Sequence, residues 1–230
     1  AKQFGFEVTI IQPDRQVITA QQIKEALRND TILVSTMFVN NETGTLLPIA
    51  EIGELLKNHP AAYHVDAVQA IGKIPIIPDE LGIDFLSASA HKFHGPKGVG
   101  FLYASDANFD SYLHGGDQER KKRAGTENLP GIVAMVAALK EELANHDQNY
   151  QAVDDLQKVF LREIEGCSYY LNKGKTQLPY VLNIGFPGQK NDLLLLRLDL
   201  AGISISTGSA CTAGVVQPSH VLKAFYGEDS

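Results

Sequence analysis

Apolar runs and turn residues alternate over the first half of the chain. Short apolar runs bounded by turn formers are typical of strands, whereas apolar residues three and four positions apart indicate a helix. The pattern predicts strands at 6–11, 31–36, 62–65, 84–89 and 98–104, a helix from Thr19 as N-cap to about Arg28, and a helix at 49–58. This alternation predicts an α/β fold, with a mainly parallel or mixed sheet and helices on both faces.

The second half follows a different order. Apolar stripes predict helices at 129–146, 152–165, 193–200 and from about 218, and shorter apolar runs predict strands at 169–171, 180–186 and 203–206. We therefore expect residues 1–129 to form part of a large domain. Residues 130–230 are expected to form a smaller α+β domain beside it.

Lys92 stands where a predicted strand meets a turn that contains Gly95, Pro96 and Gly98. A lysine at the end of a buried strand loses part of its hydration, which favours the neutral amine that can attack an aldehyde. A solvated lysine in a surface loop is the alternative, and for a lone lysine it is the commoner case. The neighbouring motifs favour the first interpretation.

Asp66 ends another predicted strand and is followed three positions later by Gln69. Open α/β sheets bind ligands at the carboxyl ends of their strands, so an acid there is a candidate binding group. Ser89 and His91 lie at the end of the next strand, beside Lys92. Asp66 alone is more often a turn former, but its combination with these residues favours a shared site.

Composition and charge exclude several classes of function. The chain has 230 residues, 20% of them charged, and a net charge of −7, which argues against a general nucleic-acid binder. The only basic cluster of note is the run 120–123, which is either a solvated loop or a contact for an anion or partner. No apolar run approaches the ~20 residues of a membrane helix, so no direct membrane contact is expected.

The two cysteines indicate a compartment and a candidate nucleophile. Cys167 and Cys211 form neither a disulfide framework nor a metal-ligand spacing, and they fit a reducing cytoplasm. Cys211 lies among small residues at 207–214, which predicts an exposed loop thiol able to travel. A structural role for Cys211 is the alternative. Cys167 is predicted to be a small buried apolar residue without a chemical role.

Motifs along nearly the whole chain strongly resemble those of the cysteine desulfurases, which are aminotransferase-like enzymes of fold type I. They are Val-Asn-Asn-Glu-Thr-Gly (39–44), His-Val-Asp-Ala-Val-Gln (64–69), Ser-Ala-His-Lys-Phe-His-Gly-Pro-Lys-Gly (89–98), Gly-Gly-Asp-Gln-Glu-Arg (115–120) with Arg-Ala-Gly-Thr-Glu-Asn (123–128), and Ser-Thr-Gly-Ser-Ala-Cys (206–211). The resemblance implies the class-V, nitrogen-fixation and iron–sulfur-cluster type, with pyridoxal 5'-phosphate as cofactor. It implies no metal.

The resemblance also implies roles for individual residues. Lys92 would tether the cofactor and move the substrate's α-proton, and Cys211 would take sulfur from L-cysteine as a persulfide, leaving L-alanine. The expected cofactor contacts are Asp66 at the ring nitrogen, Asn41 and Gln69 at the phenolate oxygen, and Ser89 and His91 at the phosphate.

Partners follow from the same resemblance. Thr126 would reach the phosphate of a neighbouring subunit, which implies a homodimer. Its other interpretation is an N-cap of the helix that follows, with Glu127 in the first turn. The sulfur acceptor would be an iron–sulfur scaffold or a tRNA-thiolation protein. Asn41 also has a purely local interpretation, as part of a turn.

Other functions stay open at this point. A selenocysteine lyase, or another fold-type-I lyase or aminotransferase, would share Lys92 and Asp66. A non-catalytic module that binds a partner is a further alternative, because we expect the chain to be a fragment. In the resembled family, the phosphate-binding loop and a ring-stacking histidine would precede residue 1, and a substrate-binding arginine would follow residue 230. An unrelated dinucleotide-binding domain is disfavoured, since no Gly-x-Gly-x-x-Gly follows a strand.

Overall fold

The computed structural model describes residues 2–106, 109–207 and 219–227. Six strands and six helices are assigned in these ranges, together with 3-10 turns at Lys2–Phe4 and Ala90–Lys92. In chain order they are α1 (Ala20–Ala26), β1 (Leu33–Met37), α2 (Ile49–Leu56), β2 (Ala62–Asp66), β3 (Phe85–Ser89), β4 (Gly100–Ala104), α3 (Gln118–Lys121), α4 (Leu129–Glu163), β5 (Tyr170–Leu171), β6 (Ile184–Gly185), α5 (Asn191–Leu200) and α6 (His220–Tyr226).

The chain divides into two compact units, each assembled from separate segments. The first, here called the sheet unit, contains Arg28–Phe38 and Ile49–Asn149. The second, here called the terminal unit, contains Ala1–Leu27, Val39–Pro48 and Tyr150–Ser230. The expected domain boundary between residues 129 and 130 stays a prediction.

A four-stranded mixed sheet organises the sheet unit. Its order is β1-β2-β3-β4, with β1, β2 and β3 parallel and β4 antiparallel to β3. This confirms the predicted mixed sheet with helices. Because the first three strands are parallel, their carboxyl ends meet at one edge, which includes Asp66 and Ser89.

The two faces of the sheet differ in burial. Alternate residues point to opposite faces of a strand, and paired residues of neighbouring strands share a face. On one face Tyr63, Val65 and Leu86 are almost completely buried. Burial raises the pKa of Tyr63 to about 12, partly offset by a hydrogen bond with Thr36, so its phenol stays neutral in the core.

Helix α2 covers the buried face through one apolar stripe. Ile49, Ile52 and Leu56 recur at helical spacing and are all buried. A side chain at Gly53 would place its Cβ only 1.9 Å from the Leu81 carbonyl oxygen, so only glycine allows this approach of the turn before β3. The sequence predicted this helix, which ends at Leu56 rather than residue 58.

Several other predicted elements are confirmed or corrected. Thr19 caps α1 as expected, and Gln22 completes a capping box. The helices predicted at 129–146 and 152–165 are one continuous helix, α4, because the residues between them include neither glycine nor proline. Residues 6–11 and 203–206 are not strands, and of 180–186 only Ile184–Gly185 pairs, with β5.

Cys167 is exposed, so the prediction that it is a buried apolar residue is wrong. It follows the end of α4, where its backbone N–H donates to the carbonyl of Ile164 at 2.8 Å. Among the described residues, no helix is both long enough and apolar enough to cross a bilayer.

Candidate active site

Lys92 ends a single 3-10 turn that is held in the core on both sides. Ala90 and Phe93 are almost completely buried and form a cluster with Met135 of α4. The backbone N–H groups of Phe93 and Gly95 both donate to the Ala90 carbonyl, at 3.0 and 2.9 Å. Lys92 is half-buried between these anchors. The turn therefore presents the amine from a rigid support.

The turn closes only because residue 95 is glycine. A Cβ at Gly95 would lie 2.8 Å from the Cβ of Ala90, closer than side chains allow. His94, just before it, has a left-handed φ of 63°, which is uncommon outside glycine. Its Nε2 atom lies 3.5 Å from Oε1 of Glu142 on α4. This contact ties the far side of the turn to the long helix.

Asp66 and Ser89 lie on the same face and at the same edge of the sheet. Asp66 pairs with Ser87 in the parallel ladder, and Ser89 follows Ser87 by two residues. The Oδ1 atom of Asp66 accepts the Val68 N–H at 2.9 Å, which opens the next turn. No described residue donates to its other carboxylate oxygen, Oδ2. This oxygen is available to a ligand at the open edge.

Ser89 and His91 hydrogen-bond to each other beside Lys92. The Ser89 Oγ atom lies 2.8 Å from Nδ1 of His91. A hydroxyl and an imidazole N–H are both donors that a phosphate can accept from. The pair therefore forms a small polar cluster at the carboxyl end of β3, as the sequence predicted.

Gln69 is half-buried in the helical turns that follow Asp66. Its Oε1 atom accepts a hydrogen bond from Nζ of Lys73 at 3.2 Å. No described residue accepts a hydrogen bond from its Nε2 group. Gln69 thus has a fixed carbonyl end and an amide donor left for a ligand.

Lys73 is a residue of this site that sequence reasoning missed. Its pKa is lowered mainly by burial and further by the nearby charge of Lys92, while Glu142 acts in the opposite direction. Lys73 therefore lies within electrostatic reach of both Lys92 and Glu142. In the sequence its signal is the spacing of four positions from Gln69. Gly72 between them is left-handed, so it is the fold of the turn and not helical periodicity that brings the two side chains together.

His64 occupies the same sheet face one step before Asp66. Its Nδ1 atom lies 2.8 Å from the Ser35 hydroxyl, with which it pairs across β1 and β2. Burial lowers the pKa of His64, and the Asp66 carboxylate partly offsets this. The imidazole is therefore kept neutral next to the candidate ligand acid.

Asn41 lies in a tight turn of the terminal unit. The turn is built by its neighbour Asn40, whose Oδ1 accepts the backbone N–H groups of Glu42 and Thr43 at 2.9 and 3.0 Å. Gly44 completes the turn with a left-handed φ of 69°. Asn40 is buried and Asn41 is exposed, so the two adjacent asparagines have different positions. Asn41 is part of this turn, as its local interpretation predicted, and its cofactor role stays a prediction.

Thr126 is exposed in the segment that precedes α4, and it does not cap this helix. The cap is Asn128, whose Oδ1 accepts the Gly131 N–H at 3.2 Å. The alternative interpretation of Thr126 as the N-cap is therefore wrong. The helix begins at Leu129, so the N-cap position is residue 128 and not residue 126. No described residue hydrogen-bonds to the Thr126 side chain.

Cys211 lies outside the described residues, so its role as nucleophile stays a prediction. Ser219, the next described residue along the chain, caps α6 by accepting the backbone N–H groups of Val221 and Leu222. The Ser219 hydroxyl also donates to the buried carboxylate of Glu42. Within the described ranges, no cluster of His, Cys, Asp and Glu could hold a metal ion.

The same motifs and fold occur in known proteins. The model of the aminotransferase class-V family matches residues 1–227. A Bacillus subtilis protein provisionally named cysteine desulfurase IscS 1 is 52% identical over 98% of this chain and 61% of its own length. The cysteine desulfurase IscS of Dictyoglomus turgidum is 44% identical over 97% of this chain and 58% of its own length.

Solved structures of similar fold carry names from the same group of proteins. A NifS-like protein superposes with a TM-score of 0.89 at 34% identity, over 99% of this chain and 60% of that one. SspA in complex with cysteine superposes with a TM-score of 0.83 at 37% identity, over 98% of this chain and 63% of that one. The chain spans about three fifths of the length of these relatives. By sequence and by fold, the chain belongs to the aminotransferase class-V family.

Proposed function

We propose that the protein containing this chain is a cysteine desulfurase that uses pyridoxal phosphate. It would convert L-cysteine to L-alanine and leave the sulfur as a persulfide on Cys211. The observation that carries the proposal is the placement of Asp66 and Ser89 on one face and edge of the sheet, with Lys92 in the next turn. The names of the relatives indicate the same activity.

The residues present fit the cofactor that this family uses. Asp66 has a carboxylate oxygen to which no described residue donates a hydrogen bond, and it suits a protonated ring nitrogen. Gln69 has a free amide donor for the ring oxygen. Ser89 and His91 are hydrogen-bonded to each other and as a pair keep a donor for a phosphate, and Lys92 offers an amine on a fixed turn. Each of these groups of the cofactor has a matching partner among the described residues.

When bound, pyridoxal phosphate supplies an electron sink for the carbon that loses a proton. Asp66 would hold a proton at the ring nitrogen, because a carboxylate beside it favours the charged form. Lys92 would move the substrate's α-proton with its Nζ atom, which its anchored turn keeps in reach. The neutral His64 would add no positive charge that repels the proton at the ring nitrogen.

Cys211 would complete the sulfur transfer. Its thiolate attacks the substrate's sulfur, an S–S bond forms as the Cβ–S bond breaks, and the electron pair stays with the organic product. That product gains a proton at Cβ and leaves as alanine. The thiolate is the nucleophilic form of cysteine, so the step requires a deprotonated Cys211.

The test uses the full-length protein with added pyridoxal phosphate. We expect visible absorbance of the bound cofactor, and release of one alanine for each sulfur transferred from L-cysteine. Lys92→Ala should abolish both the absorbance of the lysine-bound cofactor and alanine release. Lys97→Ala, which alters an exposed lysine of the same turn region, is the matched control. Survival of the absorbance in Lys92→Ala would overturn the proposal, and a strong preference for selenocysteine would reassign the substrate.

The proposal extends to a homodimer in which Thr126 of each subunit serves the partner's site. Its support is the exposure of Thr126, which makes no hydrogen bond to the described residues through its side chain. Mixing a Lys92→Ala subunit with a Thr126→Ala subunit tests it. In the mixed dimer one site then has both residues intact, so activity should rise above that of either variant. No gain on mixing would contradict the shared site.

We also propose that the persulfide is passed to an acceptor protein in the cytoplasm, either an iron–sulfur scaffold or a tRNA-thiolation protein. The exposed free thiol of Cys167 fits a reducing compartment. Purified candidates of both classes can be offered to the sulfur-loaded enzyme. Transfer to one class and not the other identifies the acceptor, and transfer to neither contradicts this part of the proposal.

A further inference from the structure

Lys73 occupies the space between the Gln69 turn and the Lys92 turn. Its backbone N–H donates to the Ala70 carbonyl at 3.0 Å, directly after a turn closed by the Ala70 and Ile71 N–H groups on the Ala67 carbonyl. Gly72 is left-handed, so no helical face is shared, but the fold of the turn brings Nζ of Lys73 to 3.2 Å from Oε1 of Gln69. Lys73 is half-buried, which leaves its ammonium group few waters to bind.

Close packing holds this turn against α4 and against the Lys92 turn. A Cβ at Gly72 would lie 3.2 Å from both Glu142 Cβ and Phe93 Cβ, and Gly72 has a left-handed φ of 80°. The neighbour of Lys73 therefore contacts both Glu142 and the residue next to Lys92. This packing accounts for the electrostatic effects of Lys92 and Glu142 on Lys73.

An ammonium group determines which way an amide faces. The Gln69 side chain has one acceptor end and one donor end of nearly the same shape. A cation 3.2 Å from its tip attracts the carbonyl oxygen and repels the NH2 group. The NH2 group must then face away from Lys73, and no described residue accepts a hydrogen bond from it.

We propose that Lys73 is a positioning residue, which holds the carbonyl oxygen of Gln69 so that the amide NH2 group is presented to the anionic ring oxygen of pyridoxal phosphate. This inference rests on the proposed function, since it needs the cofactor at this edge. Lys73 acts through Gln69 and does not itself touch the reacting atoms. Glu142, whose side chain is only 15% exposed, balances its charge in this partly desolvated place.

The test is a pH titration of the visible absorbance of bound pyridoxal phosphate in the full-length enzyme. A hydrogen bond to an anionic oxygen favours the form with fewer protons. Lys73→Met, which leaves the amide free to turn, should move the midpoint upward by about 0.5–1 pH unit, the equivalent of one hydrogen bond. Lys73→Arg retains a cationic donor and should stay close to wild type. Lys97→Met, an exposed lysine, controls for the loss of any lysine.

A double variant separates positioning from a direct charge effect. Gln69→Leu removes the presented donor, so adding Lys73→Met to it should move the midpoint clearly less than Lys73→Met does in wild type, the remainder being the direct effect of the Lys73 charge on Lys92. An equal shift in the Gln69→Leu background would overturn the inference, because the charge would then act without Gln69. An unchanged midpoint in Lys73→Met would overturn it as well. If Lys73→Met yields no folded protein, Lys73→Gln takes its place in the same comparisons.

Failure of the inference can be told from failure of the proposed function. If wild-type protein binds no pyridoxal phosphate and releases no alanine, the function itself is wrong. If wild type binds and titrates, but Lys73→Met has the same midpoint, only the role of Lys73 is wrong. A merely structural role for Lys73 would reduce the amount of loaded enzyme and leave the midpoint unchanged.

Discussion

Phe93 donates its backbone N–H to the carbonyl of Ala90 at 3.0 Å, and these two buried residues enclose Lys92 in a single turn. Apolar packing in the core thus fixes the amine that the chemistry needs. A residue with no chemical role of its own, Phe93, is therefore expected to control both stability and the position of Lys92.

Phe93→Ala should lower the free energy of unfolding by about 3–5 kcal/mol, because it empties a filled part of the core. It should also weaken the absorbance of the lysine-bound cofactor. Phe4→Ala is the matched control, since Phe4 is 71% exposed and its loss should change stability by less than about 0.5 kcal/mol. Urea unfolding of the full-length protein measures the stability of both variants, and visible spectroscopy measures the cofactor absorbance. Equal losses in the two variants would contradict the anchoring role.

Asn40→Ala should destabilise the turn that precedes α2. Two buried backbone N–H groups, those of Glu42 and Thr43, lose their acceptor, which costs about 1–3 kcal/mol per unsatisfied group. Asn41→Ala should cost less stability because Asn41 is exposed, and it should weaken cofactor binding instead. Unfolding free energies and pyridoxal phosphate titrations of both variants check this. The reverse order of effects would show that the two roles are exchanged.

Stability should fall in mild acid because of His64. Its pKa is lower in the folded protein than the ordinary value of 6.5, mainly through burial. The unfolded state therefore binds more protons below pH 6.5, so the free energy of unfolding decreases as the pH falls through and below this value. Above it, this contribution is constant.

His64→Gln keeps a polar side chain beside Ser35 and removes the titration. The variant should lose less stability than wild type between pH 7 and pH 5, as followed by denaturant unfolding at each pH. Parallel profiles for the two proteins would mean that His64 does not carry the acid sensitivity.

Cys211→Ser should retain the visible absorbance of the bound cofactor and form no persulfide, because a hydroxyl cannot accept sulfur as the thiolate does. Mass spectrometry after incubation with L-cysteine measures the added sulfur. Cys167→Ser is the control and should still become loaded, since Cys167 is assigned no part in the reaction. A persulfide retained in Cys211→Ser would move the nucleophile elsewhere.

Local pattern was sufficient to predict the strands that position the site. Hydrophobic periodicity and turn residues predicted β2 and β3. Parallel pairing of these two consecutive strands brings Asp66 and Ser89 to one edge of the sheet. The hydrophobic pattern gave a wrong prediction where a strand needs a neighbouring strand to pair with. Residues 6–11 look like a strand, yet Phe6 and Ile10 are exposed, at 51% and 70%, and no described strand pairs with them.

The sequence pattern could not predict the N-cap of α4 or the different roles of the two adjacent asparagines. Thr126 and Asn128 are both acceptable caps, and only the position of the first helical turn selects Asn128. Asn40 and Asn41 have the same chemistry, and burial alone tells the turn-forming residue from the exposed one.

The order of residue types along the chain was sufficient by itself to predict the kind of chemistry, because an acid, an amide, a hydroxyl, an imidazole and an amine follow the strand ends at characteristic spacings. Tertiary structure decided what surrounds them. Lys73 became part of the site only when Gly72 packed against Glu142 and Phe93. Electrostatic interactions and hydrogen bonds act over a few ångström in space, and a linear sequence does not record which distant side chains come that close.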